Sequence, residues 1–325
     1  MWGKPAAPVG LFGKLPSHPD FVRFNASGPL PRALDTWLSE GLIEMRRQAS
    51  NNWESEFDRA VPFFFIFRNG AGTDSLVGVC RPGRDQSGRR YPFTIFAQVT
   101  LERGGRGLHL IPMGYAPFLL AARRLAVSEC ADGIDNERTG RILALTTALP
   151  QNPVEVNRRF ADHWRGVTME SFWRGVLGDF DDRRKYLVIK NLFTALAPWR
   201  GGDPARMNMI LRFPAPQTAA TAFLQTATWP LLVQAVVGEE TLAQTVLFWH
   251  DEASSTTAGC YLSFHSPASE ALPLLFLPSG TSENLWDLAR IGDPRADDAR
   301  AALGTAIVSA LDTPSYTMKD FVERI

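Results

Sequence analysis

The stretch Gly10-Leu11-Phe12-Gly13-Lys14-Leu15-Pro16-Ser17-His18-Pro19-Asp20-Phe21-Val22-Arg23-Phe24 constrains the fold more tightly than any other in the chain. Gly10 and Gly13 bracket a Leu-Phe pair, so the backbone there can turn tightly or approach a neighbour that a Cβ would block. Pro16 and Pro19 fix φ and push the residue before each towards extended backbone, which predicts a rigid loop over Lys14–Asp20. Val9–Phe12 reads as a strand leading into that loop, and Phe21, Val22 and Phe24 are expected to re-enter the interior.

Periodicity orders the rest. Leu34, Trp37, Leu38, Gly41, Leu42 and Met45 recur at helical spacing, in a helix that Pro31 would open at its first turn. A short helix over Asn52–Arg59 would bury Trp53 and Phe57. Pro62–Phe67 is continuously aromatic and aliphatic, as in a strand buried on both faces. Leu76–Cys80 and Phe93–Leu101 read as further strands around the polar loop Arg81–Arg90, and Leu108–Pro112 as a short one. Helices follow at Ala116–Cys130 and Asn136–Leu149.

Pro150-Gln151-Asn152-Pro153 is the best boundary, Val154–Ala197 reads as helical, and Pro198–Pro204 punctuates again. Beyond it come a strand at Met207–Phe213 and a helix at Thr218–Val237, kinked at Trp229-Pro230. Strands at Thr245–His250, Gly259–Phe264 and Leu272–Leu277 precede helices at Ser282–Arg290 and Pro294–Leu311. The fold class expected is α/β, with an antiparallel or mixed central sheet flanked by helices. Its organisation reads as two similar α/β units, 1–150 and 205–325, joined by a helical connection over 151–204. The second unit repeats the element order of the first while residue identities scarcely repeat, as in a distant duplication.

Composition excludes several function classes. The 34 basic residues balance 34 acidic ones, so no global field recruits nucleic acid or an acidic membrane. The longest apolar runs, Val61–Phe67 and Leu272–Pro278, fall far short of the roughly 20 residues that span a bilayer. Met1–Val9 has no apolar leader core, and Cys80, Cys130 and Cys260 are widely separated. A cytoplasmic, reducing location is the expectation.

The reactive residue types are scattered. Ser17, His18 and Asp20 crowd one loop, but a nucleophilic triad needs converging side chains, and adjacent residues tend to point apart. No G-x-S-x-G elbow is present. Arg81, Arg84, Arg89 and Arg90 could grip phosphate or carboxylate; the plainer reading pairs Asp85 with one arginine to cap the turn. His18, His109, His163, His250 and His265 lie on separate elements without metal-ligand spacing. Asp179, Asp181 and Asp182 lack the EF-hand spacing, and Gly104, Gly105 and Gly107 precede a strand rather than a helix, unlike a phosphate loop. Trp2, Trp164, Trp173 and Trp199 fall near loops or helix ends, where rings anchor interfaces, although most tryptophans read as core. No cofactor and no metal are expected.

The opening stretch resembles the signature of the TagF family, also called ImpM, accessory proteins of bacterial type VI secretion. Gly10, Phe12, Gly13, Lys14, Leu15, Pro16, Ser17, Asp20, Phe21, Val22 and Arg23 match its G-x-F-G-K-L-P-S-x-G-D-F-V-R pattern, with Pro19 in place of a glycine. Downstream, Leu34, Asp35, Trp37 and Leu38, then Trp53, then Ala60–Phe65, then Gly88-Arg89-Arg90-Tyr91-Pro92-Phe93-Thr94 continue the resemblance in order. It covers the first third of the chain well and the remainder loosely. It implies a non-enzymatic, post-translational repressor of the secretion machine that works by protein contacts with a forkhead-associated (Fha) component. The surface expected to make that contact comprises Gly13, Lys14, Pro16, Ser17, Asp20, Arg23, Arg89 and Arg90. The alternative is a hydrolase or phosphate-handling enzyme using loops 14–20 and 81–91.

Overall fold

The structure, a computed structural model, describes residues 9–49, 52–70, 72–100, 107–150, 152–200, 203, 206–251, 253, 255–266, 268–290 and 295–325. Trp2, Gly104, Gly105, Pro204 and Pro294 lie outside the described residues. Strands β1 (Gly10–Gly13) and β2 (Val22–Phe24) flank the opening loop; α1 (Pro29–Ala49) and α2 (Trp53–Arg59) follow. Then comes a meander of β3 (Phe63–Phe67), β4 (Asp74–Arg81) and β5 (Phe93–Thr100). The middle is helical: α3 (Leu110–Gly114), α4 (Ala116–Arg124), α5 (Asn136–Ala144), α6 (Pro153–Arg165), α7 (Met169–Leu177) and α8 (Arg184–Leu196). Next are β6 (Ile210–Phe213), α9 (Ala219–Val237), β7 (Val246–Trp249), β8 (Cys260–Ser263), α10 (Leu272–Phe276) and β9 (Leu285–Asp287). Helices α11 (Ala296–Ala302), α12 (Thr305–Asp312) and α13 (Met318–Arg324) close the chain.

All nine of these strands form one mixed sheet, ordered β2-β1-β5-β4-β3-β7-β8-β6-β9. Every pairing is antiparallel except β6 with β9. The halves of the chain meet edge to edge, with Phe64, Phe65 and Ile66 of β3 opposite Trp249, Phe248 and Leu247 of β7. The unbroken apolar run of β3 is explained by burial on both sides. Phe63, Phe65 and Phe67 join one core with α1, α2 and α10, while Phe64 and Ile66 join the other, under the helices of the middle and C-terminal segments. Alternation along a strand sends successive side chains to opposite faces.

Helix α1 ties the halves together. Its Trp37 stacks on Phe248 with ring centroids 5.1 Å apart, and its indole donates a hydrogen bond to the Ala268 carbonyl at 3.2 Å. Of the tryptophans near loops, Trp164 and Trp173 are core residues. Cys80, Cys130 and Cys260 are buried free thiols. Among the described helices only α9 is long and apolar enough to cross a bilayer; here it packs inside the protein against α3, α7 and α8.

Several expected elements differ. Leu108–Pro112, read as a strand, contains the start of α3, and Leu272–Leu277 is the short helix α10 seated on α1. Ser282–Arg290, read as a helix, instead contains strand β9. The helix expected up to Leu311 is broken at Leu303-Gly304 into α11 and α12, and α13 was not anticipated. Helix α1 begins at Pro29, two residues before the expected Pro31. Phe24 remains 39% exposed because β2 is an outer strand of the sheet. The second half therefore lacks the third hairpin strand of the first and adds a parallel outer strand.

Candidate functional site

The opening loop and the β4–β5 loop lie against each other, and glycines set the distance. At Gly13, φ is +135° and a Cβ would fall 2.2 Å from the Pro92 carbonyl oxygen and 2.6 Å from Phe93 Cα. A Cβ on Gly83 would fall 2.5 Å from both the Lys14 and Tyr91 carbonyl oxygens. Only a residue without a side chain lets the two loops approach this closely. The backbone amide of Gln86 donates to the His18 carbonyl at 2.9 Å, and that of Tyr91 to Gly83 at 2.9 Å.

Asp85 sits at the centre of this contact, its side chain wholly shielded from solvent. Its Oδ2 meets Lys14 Nζ at 2.9 Å and Arg89 Nε at 2.7 Å. Its Oδ1 accepts from the amide of Ser87 at 3.0 Å, from Ser87 Oγ at 2.7 Å and from the amide of Arg89 at 2.9 Å. Burial by itself would raise this carboxyl. The hydrogen bonds from Ser87, Lys14 and Arg89 outweigh it and hold the group well below the usual carboxylate range. Asp85 does pair with an arginine and cap the turn, and it also engages Lys14 across the two loops.

The remaining expected residues are placed as follows. Lys14, with 14% of its side chain exposed, is a buttress of Asp85. Arg90 forms a two-pronged bond to Asp58 of α2, at 3.0 and 2.8 Å, and a further ion pair to Glu54 at 3.0 Å. The Asp58 hydrogen bond is the chief reason its guanidinium pKa is raised. Arg23 pairs with Asp35 of α1 at 2.5 Å and lies over the rings of Phe21 and Phe12. Asp35 also accepts from the Tyr91 hydroxyl; burial first, then this carboxylate, pushes that phenol's pKa upward. Arg81 donates to the carbonyls of Ala126, Pro82 and Cys130 at 2.7, 2.6 and 3.0 Å, anchoring the chain end after α4.

Ser17, Asp20 and Arg89 remain outward. Ser17 Oγ and His18 Nδ1 are 3.1 Å apart, so these neighbours do meet, contrary to the expectation that they point apart. The reason is local. Ser17 is held by its amide's 2.7 Å bond to the Asp132 carbonyl, and it occupies the space a side chain at Gly133 would fill. Asp20 takes no part: its Oδ1 accepts from the Phe21 amide at 2.8 Å, its side chain is 84% exposed, and Arg89 stands 3.9 Å away. Arg89 is itself 60% exposed and also donates to the Pro19 carbonyl at 3.1 Å. Beside them an open groove of ≈ 270 Å³ is lined by Pro16, Asp58, Arg81, Pro82, Gly83 and Arg84. Among the described residues no cluster of His, Cys, Asp and Glu forms a metal-holding group.

Sequence reasoning placed Arg84, which is exposed, in the arginine cluster but not on the expected contact surface. It missed the pairing of Asp35, Glu54 and Asp58, which consume two of the expected contact groups, Arg23 and Arg90. Asp58 and Glu54 lie one helical turn apart on α2, a spacing that could have flagged them as a paired acceptor for one arginine.

Residues 10–144 match the family model of the TagF N-terminal domain, type VI secretion system-associated. The chain carries a TagF N-terminal domain. That makes it a type VI secretion-associated protein, and the interlocked loops around Asp85 fall wholly within the TagF-matched residues. No curated protein matches the chain. Among solved structures, PA0076 from Pseudomonas aeruginosa PAO1 is similar over 86% of this chain and 98% of its own, with 15% identity and a TM-score of 0.49.

Proposed function

We propose that this chain is a non-enzymatic, cytoplasmic accessory protein of the type VI secretion system, a post-translational repressor acting by contact with its forkhead-associated component. The observation that carries this reading is the fate of the polar loop residues. Lys14, Arg23, Arg81 and Arg90 are spent on internal pairing, so they stiffen the loops. Pro16, Ser17, His18, Asp20, Arg84 and Arg89 are thereby held in a fixed outward arrangement beside the groove. A contact surface that is already ordered forfeits less freedom on binding, which favours affinity without new contacts. Repression then follows from linkage: a bound component is withdrawn from assembly in proportion to how much more tightly it binds in the withheld state.

The hydrogen bond between Ser17 and His18 supports a second reading, a hydrolase with Ser17 as nucleophile. It lacks the third group that would orient the imidazole, because Asp20 is turned away. Deleting the gene and measuring release of the secreted tube protein tests repression: release should rise under conditions in which the apparatus is silent. Unchanged release, or full restoration by wild type but not by Ser17→Ala with binding intact, overturns it in favour of the enzyme.

A further inference from the structure

At the seam between the halves, three strands place polar residues in one row on one face. Continuing the register of β3 with β4 sets Arg68 opposite Ser75, and continuing that of β3 with β7 sets Arg68 opposite Thr245. Neighbours across adjacent strands on one face stand about 5 Å apart at Cβ. Their strand-mates Ile66, Val77 and Leu247 all belong to the core beneath the middle and C-terminal helices, so the three polar side chains face that side. All three are buried, with 1%, 0% and 0% exposure for Arg68, Ser75 and Thr245. Each also carries an orphan: Arg68 Nε, Ser75 Oγ and Thr245 Oγ1 are shielded from solvent and make no hydrogen bond within the chain.

The guanidinium is held from one side only. Its Nη1 donates to the carbonyls of Ala243 and Leu242, at the end of a short helical turn. Ser266 Oγ donates to the Arg68 carbonyl at 2.8 Å, which fastens the same residue to the second half a second time. Among the described residues no carboxylate pairs with it, and burial lowers its pKa to about 10, so it still carries its charge at neutral pH. A buried charge without a counter-charge is rare, and so is a buried donor without an acceptor. An ordered water would accept from Arg68 Nε and leave the charge uncompensated. A chloride-sized anion supplies the charge and accepts from three donors at once.

We propose that Arg68, Ser75 and Thr245 form a buried site for a small monovalent inorganic anion, of chloride size, that pins the junction of β3, β4 and β7. The Arg68 Nε–H and the two hydroxyls donate to the anion. The site lies on the face of the sheet opposite α1 and is separate from the surface around Asp85. Stability should depend on the anion present, because ligand bound only in the folded state adds stability by mass action.

The test has two measurements on the full chain. Crystals soaked in sodium bromide should show an anomalous peak within hydrogen-bond reach of Arg68 Nε, Ser75 Oγ and Thr245 Oγ1. Exchanging chloride for gluconate at constant ionic strength should lower the melting midpoint of the wild type by about 2–4 °C. That difference should shrink in Thr245→Val and vanish in Arg68→Met; Ser75→Ala stands in should Arg68→Met not fold. Water or a protein carboxylate in place of bromide, or equal melting of the wild type in both salts, overturns the proposal.

Discussion

Asp85 is the residue on which the opening loop depends. Its carboxyl is depressed in the folded state, so its contribution is complete above the unfolded carboxylate value of about 3.9 and fades as pH falls from there. Asp85→Asn should cost about 3 kcal/mol near neutral pH, because it leaves Lys14 sheltered without its counter-charge. Urea unfolding followed from pH 7 to pH 2 should show the gap between wild type and variant closing at the acid end. A gap of constant size would mean that the carboxylate is not what holds the loops. Glycine positions separate two kinds of backbone constraint. Gly88 has φ of +84° with open space around it, so Gly88→Ala should cost about 1 kcal/mol. Gly13→Ala adds a backbone clash to a positive φ and should cost at least about 3 kcal/mol by the same denaturation measurement.

At the scale of elements, the segment after α4 hangs on one side chain. Arg81 caps the carbonyls of Ala126 and Cys130, so Arg81→Met should leave them unsatisfied and destabilise by about 2 kcal/mol. Amide exchange should accelerate at residues 125–131 before it does in β4; uniform acceleration would count against a local role. Elements with strong, long periodicity were legible in the sequence: α1, the meander from β3 to β5, and α9 all lie where spacing and aromatic runs put them. Short apolar runs were not. Leu272–Phe276 and Leu110–Gly114 are apolar enough for either a buried strand or a buried turn of helix, and periodicity over five residues cannot separate them. Pro273 in the first turn of α10 was the overlooked sign. Helix α13 carried a readable start: Thr317 Oγ1 accepts from the Asp320 amide, and a Thr-x-x-Asp spacing announces such a cap. In the site, charge identity was legible but partner identity was not. The acids that pair with Arg23 and Arg90 come from α1 and α2, and only the folded chain brings those elements to the loops.

For the whole molecule, the continuous sheet makes the two halves interdependent. A fragment ending at residue 150 would bare the β3 edge, the Trp37 ring on which Phe248 stacks and the side of α1 on which α10 is seated. Produced alone it should aggregate; a soluble, cooperatively melting fragment would show that the seam is dispensable. The proposed contact surface, the outward face of the interlocked loops, is tested most directly by calorimetric titration of the proposed forkhead-associated partner into the full chain. Arg84→Glu with Asp20→Lys alters only exposed groups and should leave the melting temperature unchanged while weakening affinity at least tenfold. Affinity equal to wild type in that folded variant would contradict the assignment of this surface.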